Sequence, residues 1–445
     1  MMAQGLIRRA WLALLCLPGL ALAAVNIQSW QAPGGARVFF VESHALPMID
    51  IQVDFAAGSA FDPPGKAGLA ALTRGLLDGG AGGLNEAAIA DRLADLGARL
   101  GGGGDGDRAS ISLRTLADPA LREGAVDLLA TLLAKPDFPA AVVEREKARA
   151  IAGLKEAETQ PGAIASRRFA AVLYPSHPYG AVETPESVGR IGREDLMAFH
   201  RQNFVARRAT VTLVGDLSRS QAEALALTVT AGLPQGEPVP ALPKPGLPAG
   251  GVIRVPHPSA QAHILMGLPV LTRDDPDYFP LLVGNYVLGG GGFVSRLTKE
   301  VREKRGFAYS AYSYMMPSRV AGPFQIGLQT RGGQAEEALG VVNQTLRDFI
   351  QGGPTPQETV AARDNLVNGF GLRLDSNRKV LDYVAMIGFY GLPMDWLENY
   401  PKAVAWVTPE AIRDAFRRRV LPEHLVTVVV GGGGDPSAAP AGGQP

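Results

Sequence analysis

Apolar positions along this chain switch repeatedly between alternation and helical spacing. Residues 38–41 and 49–55 read as strands, and in the second Ile49, Ile51, Val53 and Phe55 alternate with polar neighbours. Ile111 and Leu113 alternate in a further strand. Between them, Asn85 is placed to cap a helix with Ile89, Leu93 and Leu96 on one face, stopped at Gly97. Helices are predicted over 120–134 and 139–158. Later come strands at 261–268, 308–315 and 322–330, with helices at 276–288, 333–352 and 356–372. The two element types mix without strict βαβ alternation. That predicts an α+β fold, with antiparallel-rich sheets carrying helices on one face.

Two late segments resemble each other. Residues 191–215 and 407–431 each read as a short helix, a turn and a β-branched strand ending at glycine. In the second, Thr408 is a helix cap and Pro409 takes the first helical position. Two copies imply a duplicated domain. The expected organisation is an N-terminal domain over 25–233, a Pro- and Gly-rich linker over 234–251, a C-terminal domain over 252–434 and a flexible tail over 435–445.

Length and charge narrow the function. The 445 residues exceed one ordinary core. Lys+Arg and Asp+Glu are both 43, so the balance points to neither nucleic acid nor an anionic membrane. Residues 1–24 read as an export signal: Arg8 and Arg9, an apolar run from Ala10 to Leu22, then Ala21-Leu22-Ala23 as a cleavage site. Periplasmic localisation is therefore expected, with Sec and twin-arginine export both open. The single cysteine, Cys16, lies inside this signal. The mature chain then has no disulfide and no cysteine chemistry.

Candidate chemistry is sparse. The six histidines, His44, His177, His200, His257, His263 and His424, include no pair three or four residues apart. His177 in His-Pro-Tyr-Gly is expected to fix a loop. Gly289–Gly292 lacks the Lys-Ser/Thr ending of a phosphate loop and reads as a close-approach turn. Gly101–Gly104 before Asp105 and Asp107 lacks the distal acidic ligand of a calcium loop and reads as a flexible turn. Arg302 and Tyr309, seven residues apart, read on composition alone as a solvated charge and a strand aromatic.

Several motifs change that reading. They are Gly58-Ser59, Gly65-x-x-Gly68-Leu69-Ala70, His177-Pro178-Tyr179-Gly180, Leu288-Gly-Gly-Gly-Gly292, Ser295-Arg296-Leu297 and Arg302-x-x-x-Gly306-x-x-Tyr309-Ser310. Together they resemble the M16 family of zinc peptidases, in its short bacterial branch, over nearly the whole mature chain. The resemblance implies two homologous α+β domains. It also places the family's His-x-x-Glu-His at Ala71, Arg74 and Gly75, and its third zinc ligand at Gly153, or at Ala152 with a one-residue shift. None of these can bind or activate through zinc. In that family an Arg and a Tyr at the spacing of Arg302 and Tyr309 reach across to the zinc domain and stabilise the oxyanion.

The expected function is a metal-free, non-catalytic subunit of a periplasmic heteromeric peptidase. It would bind peptide and lend Arg302 and Tyr309 to a partner that carries intact His-x-x-Glu-His and the zinc. The alternatives are a stand-alone peptide-binding or chaperone-like protein, and an enzyme with a relocated metal.

Overall fold

The computed structural model describes residues 25–432. The predicted export signal and the whole of the predicted tail lie outside these residues. The first half contributes β1 (Gln28–Gln31), β2 (Arg37–Glu42), β3 (Met48–Phe55), a small hairpin of β4 (Gly80–Ala81) and β5 (Leu84–Asn85), β6 (Arg99–Gly104), β7 (Ala109–Leu116) and β8 (Ala209–Gly215). The second contributes β9 (Gly251–Val255), β10 (Gln261–Leu271), β11 (Ala308–Met315), β12 (Gly322–Arg331) and β13 (Val426–Gly431).

These strands build two main sheets of the same plan. The first runs β1-β2-β8-β3-β7-β6 and the second, reversed, β9-β13-β10-β12-β11. In both, the last strand pairs parallel with the first strand of the shared plan, β8 with β2 and β13 with β9, and the other pairs are antiparallel. The resembling segments thus end in equivalent strands, β8 and β13. Each is preceded by a helix, Arg193–Asn203 or Pro409–Arg419. Thr408 caps the latter through the Ala411 N–H, with Pro409 next. Asn85 likewise accepts from the Ala88 N–H and opens helix Glu86–Asp95.

Alternation decides the layers. Val38, Phe40, Ile51 and Val53 face helices Pro119–Ala134 and Arg219–Ala231 in one core. On the second sheet Ile264, Met266, Phe324 and Ile326 face helices Ala335–Gly352 and Pro409–Arg419 in another. Helices thus pack on one face of each sheet. The opposite faces add a feature that periodicity did not predict: each receives one helix from the other half. Helix Pro161–Leu173 buries Ala165, Phe169 and Leu173 against Val426, Val428 and Val430 of β13. Helix Asn377–Tyr390 packs back onto Phe39, Val41 and Val214 of the first sheet. This reciprocal crossing couples the two halves.

Asp107 reinforces the seam. It is 2% exposed, accepts from the hydroxyls of Tyr179 and Tyr390, and accepts from the Arg319 N–H at 2.9 Å. Tyr390 and Arg319 belong to the second half, so one carboxylate ties both halves to the His-Pro-Tyr-Gly loop. His177 anchors that loop: Nδ1 accepts from the Tyr179 N–H, and Nε2 donates to the Pro243 carbonyl. Residues 234–250 carry no helix or strand.

Candidate functional site

The first candidate region is helix Leu69–Gly75, which holds Ala71, Arg74 and Gly75. Gly68 precedes it with φ +104°, a left-handed conformation that favours glycine. Asp62 replaces a side-chain cap from within, accepting from the N–H of Gly68 at 2.8 Å and of Ala70 at 2.7 Å. Burial pushes the Asp62 carboxyl up to about 6, against the pull of those two N–H groups.

Positions 71 and 75 share one helix face, as an i, i+4 ligand pair requires. The groups on that face do not fit a metal. Ala71 offers a methyl, Gly75 a hydrogen, and Arg74 a guanidinium that stays protonated. Gly153 lies in helix Ala140–Ala157 and offers nothing either. The alternative position, Ala152, is also exposed and apolar. A Cβ built at Gly75 or Gly153 meets nothing within 4 Å, so ligand-sized side chains have room there. No group of three or more metal-binding side chains occurs among the described residues.

A cavity of about 240 Å³ opens beside Arg74, floored by Leu77, Leu100, Ile111 and Leu132. Arg74 has no ion pair within it. Burial, then Glu86 and Glu146, push the neighbouring Asp78 carboxyl up, while Arg74 pulls it down. One side of the cavity is strand β6. Here the expected turn at Gly101–Gly104 is corrected: these glycines pair with Ser112, Ile111, Ser110 and Ala109 of β7 as the edge of the sheet. Without side chains they show no alternation, yet their ladder bonds remain available. The turn comes later, where Asp105 accepts from the N–H groups of Asp107 and Arg108.

The second candidate region is Arg302 and Tyr309. Arg302 lies in the π-helical segment Thr298–Glu303, one residue before its end, and Tyr309 stands near the start of β11. The pairing register of β11 with β12 shifts between Ala308 and Ala311, and this irregularity places Tyr309 in solvent, 84% exposed. The Arg302 guanidinium lies 4.8 Å from the Tyr309 ring centroid and 4.8 Å from that of Phe293. Phe293 is itself 66% exposed. Glu300 of the same segment is taken by Lys304 and Arg305. Among the described residues, Arg302 and Tyr309 have no hydrogen-bond acceptor. They therefore form a contacting pair of donors, a half-buried guanidinium over an exposed phenol ring.

The surrounding motifs explain its support. Gly289 permits a close approach, since a Cβ there would sit 2.4 Å from the Ser313 nitrogen of β11. Asn285 and Ser313 exchange hydrogen bonds across the same contact. Arg296 forks onto Glu358 and donates to the Gly353 carbonyl, fixing the segment against helix Pro356–Asn368. The sequence singles out Arg302 and Tyr309 as candidates but not Phe293, which directly follows the glycine run in the turn Gly292–Val294.

The chain is similar to known proteins over most of its length. Residues 37–182 match the family Insulinase (Peptidase family M16), and residues 190–366 match the family Peptidase M16 inactive domain. The chain is 26% identical over 398 residues to the "Non-peptidase homolog YmxG" of Helicobacter pylori, spanning 88% of this chain and 91% of that protein. It superposes with a TM-score of 0.89 and 37% identity on the crystal structure of a peptidase M16 inactive domain from Pseudomonas fluorescens, covering 92% of this chain and 98% of that one. The periplasmic protease PqqL of Escherichia coli has the same fold, with a TM-score of 0.77 and 17% identity over 91% of this chain and 45% of its own.

Proposed function

The chain belongs to peptidase family M16, and on that premise we propose that it is a metal-free, non-catalytic subunit of a heteromeric peptidase. It works in the periplasm, binds peptide, and presents Arg302 and Tyr309 to the active site of a zinc-bearing M16 partner. The carrying observation is the Arg302–Tyr309 pair, a half-buried guanidinium over an exposed phenol ring, two donors with no acceptor among the described residues. A guanidinium and a phenol are suited to an oxyanion formed elsewhere. The zinc positions support the same reading, because Ala71, Arg74, Gly75 and Gly153 have lost all four roles together. The test is to purify the chain with an M16 subunit that retains His-x-x-Glu-His. A stoichiometric complex with higher peptidase activity than the zinc subunit alone supports the proposal. Absence of association refutes it.

One observation favours the alternative, a stand-alone peptide-binding protein. The open edge of β6 can accept an extended peptide as an added strand, beside the Arg74 cavity. Peptide binding by the isolated chain, without any effect on a zinc subunit, would select this reading.

A further inference from the structure

A second, larger cavity lies between the two halves, away from Arg302 and Arg74. Its volume is about 550 Å³, a size common for small-ligand sites at domain boundaries. One wall is apolar, with Phe169 and Leu173 from the crossing helix, Leu265 from β10, and Met316 and Pro317. The other wall carries Arg108, Arg273, Gln325 and Tyr390.

Arg273 is the unusual member. Its backbone is fixed by donation to the Ser318 carbonyl at 3.0 Å. Its guanidinium lies 5.1 Å from the Tyr390 ring centroid and beside the Tyr278 hydroxyl. Its Nε is buried without a hydrogen-bond partner. The nearby acids are engaged elsewhere: Asp275 pairs with Arg419, and Asp274 accepts from Thr272. Among the described residues, Arg273 has no carboxylate within 4 Å. Arg108 lines the same space with a buried Nη1 that makes no hydrogen bond and reaches Asp54 only at 3.6 Å. Asp105, the one carboxylate on the wall, is held by Arg108 and by two backbone N–H groups. Arg273 therefore brings to this cavity a positive charge that no carboxylate among the described residues pairs with.

We infer that this cavity binds the C-terminal end of a peptide. The terminal carboxylate meets Arg273, an apolar last side chain packs on Phe169, Leu265 and Met316, and Gln325 serves a peptide amide. Gln325 is 8% exposed and its side chain makes no hydrogen bond within the described residues. That polar group favours a peptide over a fatty acid, whose methylenes would leave it unpaired. The inference goes beyond the partner reading, because the isolated chain suffices for it.

The experiment is calorimetric titration of the purified chain with N-acetyl-Ala-Ala-Phe as free acid, the same peptide as carboxamide, and decanoate. The free acid is expected to bind at least about tenfold tighter than the carboxamide. Arg273→Gln is expected to abolish that difference and leave the thermal midpoint near wild type. Equal affinity for acid and carboxamide, or no binding of either at about 1 mM, would overturn the inference. Tighter binding of decanoate than of the free acid would overturn it too, in favour of a lipid site. If Arg273→Gln does not fold, the acid-to-carboxamide comparison on the unchanged chain still decides.

Discussion

The guanidinium of Arg302 is stacked 4.8 Å from the centroid of the Tyr309 ring, with Phe293 at the same distance. An exposed contact of this kind contributes about 0.5–1 kcal/mol. Phe293 and Tyr309 are exposed and Arg302 is half-buried, so the contact adds little to stability. The contact sets a cation beside a phenol O–H, with no acceptor for either among the described residues. On the proposed function these donors act on an oxyanion.

Arg302→Ala and Tyr309→Phe should therefore separate stability from turnover. Each is expected to change unfolding free energy by less than about 0.5–1 kcal/mol. In a complex with a zinc-bearing subunit, each should lower turnover, by ~10²–10³ if the lost group is an oxyanion donor. Arg302→Lys should not restore it, since a point charge lacks the planar fork. Chemical denaturation and steady-state kinetics on each variant make the comparison. A change in KM alone would assign the pair to uniform peptide binding instead.

Zinc content gives a second prediction. The purified chain is expected to hold no stoichiometric zinc. Ala71→His, Arg74→Glu and Gly75→His together still lack a third protein ligand, so zinc should wash out on dialysis. Adding Gly153→Glu should raise retention, because Cβ atoms at Gly75 and Gly153 have free space. Elemental analysis of all three proteins is the readout. About one tightly held zinc per wild-type chain would contradict the assignment.

Asp107 predicts how firmly the halves are joined. It accepts three hydrogen bonds at the seam while almost wholly buried. Asp107→Ala strands two phenols and an N–H, and is expected to cost about 2–4 kcal/mol. Asp107→Asn keeps one acceptor and should cost less. Thermal unfolding of both variants checks the order, and equal midpoints with wild type would refute the tie.

A pH dependence follows from Glu358. Burial alone would raise its carboxyl, but the Arg296 fork and the Thr355 N–H outweigh it and hold it at about 2, below the ordinary 4.5. A lowered folded-state value stabilises the fold above about pH 4.5, and that contribution fades as pH falls toward 2. The partners are 23% and 27% exposed, so screening leaves about 1–2 kcal/mol. Arg296→Ala should shrink the loss of stability between neutral and acidic pH. Urea titrations at several pH values would show it, and an unchanged slope would count against the pair.

Local chemistry was legible where it was self-contained. The alternation of Ile49 to Phe55 gives β3, and Asn85 and Thr408 cap the helices that their positions imply. Gly101–Gly104 misled because a strand without side chains has no period, and only the β7 ladder defines it. Helix Pro161–Leu173 shows its apolar spacing in sequence, but spacing cannot say that it lies on the other half's sheet. Asp107 was legible only as an acid in a turn, since its partners stand 72, 212 and 283 residues away. The Arg302–Tyr309 pair was found through the surrounding motif, whereas Phe293, its third member, gave no signal of its own.

On the proposed function, this chain completes another subunit's active site. The most direct measurement is peptide hydrolysis by a zinc-bearing M16 subunit titrated with wild-type chain and, separately, with Arg302→Ala. The account predicts that wild-type chain raises turnover to a plateau at one chain per zinc subunit, while Arg302→Ala associates equally well and leaves turnover far lower. A zinc subunit already fully active alone, or equal plateaus from both proteins, would contradict it.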